Sequence, residues 1–158
     1  KNSAGEYTFC VRGTKLSFKD IFSDIRIAFG SQSVSDDALV DTLRTFHSQH
    51  PNAKLSVAGH SLGTMLATNA LSKVNLPGEQ DVFLFNPASS PLQSSAAVRN
   101  IQDNNNLNVQ YFLNKNDLVS NYFSQQLNQG EIDKHVFYGK FSRSPLASHG
   151  LAQWTTSY

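Results

Sequence analysis

The chain reads as an α/β fold, a mainly parallel central sheet with helices on both faces, and three observations predict it. Short apolar runs with strand character alternate along the chain with amphipathic helical patterns, the order that builds parallel sheets. The length of 158 residues suits one domain, spanning 1–158, with a real core and little room for a second. In the middle, the segment from Leu55 to Val74 passes from strand to helix through a turn bounded by two glycines, Gly59 and Gly63.

The elements follow in order. Tyr7, Phe9 and Val11 alternate with Thr8, Cys10 and Arg12, the period-two pattern of an entry strand that stops at Gly13-Thr14. Phe18, Ile21, Phe22 and Ile25 fall at helical spacing with polar residues between them, which predicts a short amphipathic helix. A second helix is predicted through Leu39, Val40, Leu43 and Phe46, with Ser35 as N-cap and Asp36 and Asp37 in its first turn, ending before Pro51. Leu55 and Val57 mark the next strand. Leu62, Met65, Leu66, Ala70, Leu71 and Val74 then trace one helical face up to Pro77-Gly78. The apolar run Val82 to Phe85, closed by Asn86-Pro87, suits a buried parallel strand. Further strands are predicted at Val109 to Leu113, after the Asn104-Asn105-Asn106 loop, and at Val136 to Tyr138, with a closing helix from about Leu146 to Trp154.

Composition excludes several function classes. Apolar residues make up 39% and charged residues 16% of the chain, a globular balance with a weakly charged surface. The net charge of +1, without a Lys/Arg cluster, provides no electrostatic footprint for nucleic acid or an anionic membrane. No apolar run approaches the roughly 18 residues of a spanning helix, and Lys1-Asn2-Ser3 does not open a signal peptide. Cys10 is the only cysteine, so neither an intrachain disulfide nor a thiolate metal cluster can form. That, with the lack of an Asn-x-Ser/Thr sequon, leans toward a soluble chain in a reducing or non-glycosylating context. A first residue other than Met marks a processed product, an excised domain or a piece of a larger chain.

Gly59-His60-Ser61-Leu62-Gly63 is a G-x-S-x-G pattern standing between a predicted strand and a predicted helix, the context in which that pattern carries chemistry. A serine at the apex of so sharp a turn takes a strained backbone conformation. Side chains two residues before and after it would collide with neighbouring chain, which calls for glycine at both. The hydroxyl is lifted above the sheet, and the helix N-terminus behind it offers backbone N–H groups and partial positive charge to a developing oxyanion, with the Leu62 amide as one donor. The competing reading is a glycine-flanked surface turn.

These residues carry a family resemblance. Phe9-Cys10-Val11-Arg12-Gly13-Thr14 and Ser56-Val57-Ala58-Gly59-His60-Ser61-Leu62-Gly63 resemble the paired signatures of the class 3 (fungal-type) lipases, members of the α/β-hydrolase superfamily. Phe18 to Ile27 resembles the short helix that often serves that family as a lid. Leu113 to Val119 resembles its catalytic-aspartate segment, and Ser148-His149-Gly150-Leu151 its histidine region. The chain departs from the family in having little before the entry strand, in lacking a His-x-Gly-Phe segment after the lid, and in carrying Thr64 where many members have another glycine. The resemblance implies a compact α/β-hydrolase-like domain that hydrolyses carboxylic, especially lipid, esters without a cofactor.

A serine hydroxyl needs a histidine to take its proton and a carboxylate to orient that histidine, and in α/β-hydrolases they follow in the order Ser, Asp/Glu, His. The carboxylates after the turn are Glu79, Asp81, Asp103, Asp117, Glu131 and Asp133, and the histidines are His135 and His149. Asp117 lies just past a predicted strand end, where open parallel sheets place functional loops; the competing reading is an Asx-turn or helix cap, for which Asn116-Asp117 would serve well. His149 sits in a loop or helix start able to reach over the sheet, and it matches the family's histidine region. The expected catalytic residues are thus Ser61, Asp117 and His149. His60 should point away from Ser61, His47 and His50 end a helix, and His135 precedes a strand. The resemblance further implies an oxyanion hole formed by Leu62 and Thr14, with Arg12 structural. No His/Asp/Glu cluster has metal-ligand spacing.

The expected partners are a lipid or other ester substrate and, through the apolar face of Phe18 to Ile25, transient contact with a lipid interface; ordinary core packing explains that face equally well. Acyl transfer or peptide hydrolysis by the same three residues is a further possibility. The rival from another class is a catalytically silent hydrolase fold kept as a binding or structural module within a larger assembly.

Overall fold

The computed structural model describes residues 5–12, 36–88, 95–117, 120, 123–124, 127 and 135–139. Five strands, β1 (Tyr7–Arg12), β2 (Leu55–His60), β3 (Gln80–Phe85), β4 (Leu107–Leu113) and β5 (Val136–Tyr138), form one sheet in the order β1-β2-β3-β4-β5. All four pairings are parallel, with Val11 opposite Gly59, Gly59 opposite Leu84, and Leu84 opposite Tyr111. The fold is therefore α/β, as the sequence predicts.

A parallel pair needs a crossover, and among the described residues three helices supply the first three: α1, through residues 36–49, α2 (Leu62–Lys73) and α3 (Ser95–Gln102). Strand order rises with chain order, so crossovers of one hand bring all three helices to one face of the sheet. The core lies between them. Val40 and Leu43 of α1, Ala67, Ala70 and Leu71 of α2, and Val98 and Ile101 of α3 pack on Val57, Val82, Leu84, Val109 and Tyr111. Alternation along each strand sends these residues inward and their neighbours to the other face. On that face Phe85 stacks on Phe112 at 4.5 Å and Phe112 on Phe137 at 5.2 Å. Val82 to Phe85 is thus apolar throughout because both of its faces carry apolar neighbours.

Several boundaries differ from expectation for physical reasons. β3 and β4 each begin two residues earlier than their apolar runs, at Gln80 and Leu107, because main-chain pairing continues regardless of side chain. Gln80 is buried with its amide donating to the carbonyls of Pro77 and Gly78. α2 ends at Lys73, ahead of Pro77: Val74 turns extended (φ −109°, ψ 131°) while its N–H still bonds the Ala70 carbonyl. This lets Val74 and Leu76 both fold back into the core. The eight-residue α3 was not expected. Its signal is short, with Ala97, Val98 and Ile101 as its only buried apolar side chains. The lid-like helix at Phe18 to Ile25, the Ser35 cap, the closing helix at Leu146 to Trp154 and any helices on the second face fall outside the described residues.

Candidate active site

β2 runs straight into a single abrupt residue. Ser61 follows His60 with φ 54° and ψ −126° and serves as N-cap of α2. A serine costs free energy in this conformation, and the surrounding bonds must over-determine it. Its N–H donates to the Phe85 carbonyl at 3.1 Å, tying it to the end of β3. Its own carbonyl accepts from the Thr64 N–H at 2.9 Å and from the Thr64 hydroxyl at 2.6 Å. Ser61 makes no side-chain cap hydrogen bond to α2.

The two flanking glycines are required by space. A Cβ on Gly59 would meet the Thr64 Cα at 3.0 Å and the Gly63 carbonyl at 3.1 Å. A Cβ on Gly63 would run into the backbone of β1, with the Val11 carbonyl carbon at 2.8 Å and the Arg12 carbonyl carbon at 2.9 Å. Gly63 therefore lets the first turn of α2 lie directly on the end of β1. Leu62 opens α2, whose first turn contains no acidic side chain to neutralise the helix N-terminus. Leu62 packs with Met65 and Ala88 in a small apolar cluster separate from the main core.

Asp117 stands four residues beyond Leu113, at the same end of the sheet as Ser61 because every strand is parallel. β2 and β4 are separated by β3 alone, so the strand ends that carry Ser61 and Asp117 are about 10 Å apart, two strand spacings. Asp117 is 1% exposed, and its Oδ2 accepts a hydrogen bond from the Ser120 hydroxyl at 2.8 Å. Its N–H closes a turn on the Asn114 carbonyl at 2.9 Å. Of the polar side chains in this turn, Asn114 takes the Asx role, its Oδ1 accepting from the Asn116 N–H at 3.5 Å.

The structure separates most of the histidines from this end. His47 and His50 finish α1 at the opposite end of the sheet, where His50 stacks on Tyr7 at 5.5 Å. His135 precedes β5 at that same far end and lines a polar hollow of about 310 Å³ with Glu79, Gln102 and Asn104. His60 is adjacent to Ser61, but alternation puts it with Ser56 and Ala58 on the face away from α2. His149 and Thr14 fall outside the described residues. Among the described residues no group of three His, Cys, Asp or Glu is arranged to hold a metal ion.

Sequence reasoning missed two contributors, Thr64 and Ser120, whose hydroxyls hold the backbone of Ser61 and the carboxylate of Asp117. The only available hint was their position, three residues after each candidate. A family model described as Lipase (class 3) matches residues 28–127, which include the Ser61 turn and Asp117. No curated protein and no solved structure matches the chain.

Proposed function

Because the chain belongs to the class 3 lipase family, we propose that it cleaves lipid esters through an acyl-enzyme with Ser61 as nucleophile. Membership makes it a carboxylic ester hydrolase; the route and the residues are our reading. The observation that carries it is the conformation of Ser61, held at φ 54° between the end of β2 and the first turn of α2.

In this reading the Ser61 hydroxyl attacks the acyl carbon while His149 takes its proton. The buried Asp117 orients that imidazole and stabilises the imidazolium. The Leu62 and Thr14 amides receive the oxyanion, whose charge the unneutralised N-terminus of α2 also favours. His149 then protonates the leaving alcohol, and water attacks the acyl-enzyme by the same proton path in reverse. His149 fills the base role because, of the histidines after Ser61, His135 lies at the far end of the sheet. The substrate is a lipid ester reached from solution or at a lipid interface; among the described residues no helix is long and apolar enough to cross a membrane.

A panel of p-nitrophenyl acyl esters of several chain lengths, triolein and unmodified peptides tests the reading. Ester hydrolysis with the peptides left intact is expected. Cleavage of peptides alone refutes it, and a folded chain with no turnover points to the binding module.

A further inference from the structure

The reaction proposed above requires Ser61 to keep a backbone conformation that serine disfavours, and one side chain outside the catalytic set is placed to enforce it. Thr64 is 1% exposed. Its hydroxyl donates to the Ser61 carbonyl at 2.6 Å and accepts from the Ala88 N–H at 3.1 Å. The same Ala88 N–H reaches the Ser61 carbonyl itself at only 3.4 Å. One hydroxyl thus joins three segments: the serine turn, the first turn of α2, and the Asn86-Pro87-Ala88 stretch that leaves β3.

We infer that Thr64 is a positioning residue for Ser61, a hydroxyl clamp that holds the strained serine turn against the 86–88 segment. Two features set it apart from an ordinary helix threonine. The common intrahelical bond of a threonine runs to the carbonyl three or four residues back and leaves the acceptor capacity of the oxygen to solvent. Here that capacity is used by a buried main-chain amide 24 residues away. The 86–88 segment also carries the only other non-glycine residue with positive φ among the described residues, Asn86 at 42°. The clamp therefore ties the strained serine to the segment that carries the second strained position, and Ala88 in turn packs on Leu62 and Met65. A glycine at position 64 would supply the main-chain bond to Ser61 and neither of the hydroxyl bonds.

This inference rests on the esterase reading, and the test separates them. Thr64→Val keeps the shape and removes the hydroxyl, whereas Thr64→Ser keeps the hydroxyl. With p-nitrophenyl butyrate, Thr64→Val is expected to lower kcat about 10- to 100-fold, the scale of a small misplacement of a reacting group. KM should stay within roughly twofold, because the groups that bind substrate are intact. Thr64→Ser should restore most of kcat. Independently of activity, the Ala88 amide should exchange with solvent at least about tenfold faster in Thr64→Val, having lost its shorter hydrogen bond. An active wild type whose Thr64→Val variant matches it in kcat overturns the clamp and leaves the esterase reading standing. So does a Thr64→Ser variant as impaired as Thr64→Val. A folded wild type without activity on any ester overturns both.

Discussion

Gly63 lies against Val11 so closely that the space for a side chain is already occupied by the β1 backbone. This contact fixes where α2, and with it the Leu62 amide, starts relative to the end of the entry strand. Gly63→Ala is expected to destabilise the protein by about 1–3 kcal/mol through overpacking. It should also lower ester turnover in whatever fraction folds. Gly78, with φ +81° and open space where a Cβ would stand, is the control. Gly78→Ala costs about 1–2 kcal/mol for the left-handed backbone alone and should leave turnover of the folded protein unchanged. Urea melts and kcat measured on both variants check the contrast.

Asp117 and Ser120 form a buried pair whose parts are expected to fail differently. Asp117→Ala should lower kcat on the order of 10⁴-fold, the usual scale for losing the carboxylate that orients a catalytic histidine. Ser120→Ala removes one hydrogen bond to a charged group. It should cost about 1.5–3 kcal/mol in stability and lower kcat far less than Asp117→Ala. Equal activity of Asp117→Ala and wild type, measured on soluble esters, would exclude Asp117 from the reaction.

Asp36 gives the protein a pH-dependent weakness away from the site. Burial raises its pKa above the usual 3.8, against the opposing pull of the Asn69 amide and of the Lys73 ammonium; nearby Asp37 adds to the rise. The protonated form is thus favoured more in the folded than in the unfolded chain. Its stabilising share is complete below 3.8 and is lost as pH climbs through the raised folded value. Asp36→Asn, which can still bond Asn69, should raise Tm at pH 7, and the gain should shrink as pH is lowered toward 3.8. Thermal melts across that range check the sign.

Much of this architecture is legible in the sequence because its signals are local. The period-two pattern of Tyr7 to Arg12 gives β1, and the strand-turn-helix order around Ser61 gives the glycine-bounded turn together with the steric need for Gly59 and Gly63. The expected position of Asp117 past a strand end also matches the structure. What the sequence hides is what only tertiary pairing creates. α3 exposes too short an apolar stripe to be recognised, yet Val98 and Ile101 are buried once laid on α2 and β4. Gln80 reads as polar loop and proves to be the first residue of a central strand. Thr64 stands out in the sequence only as a departure from the family pattern, and its role comes from the Ala88 amide that the fold brings to it; Ser120 carries no sequence signal beyond its distance of three residues from Asp117.

Whether Ser61 is an activated nucleophile is decided by labelling with a fluorophosphonate probe, comparing the wild type with Ser61→Ala. One covalent adduct per wild-type chain is expected, mapped to Ser61 by mass spectrometry, and none in a Ser61→Ala variant with unchanged folding. Absence of labelling in well-folded wild-type protein, or equal labelling of the variant, would contradict it.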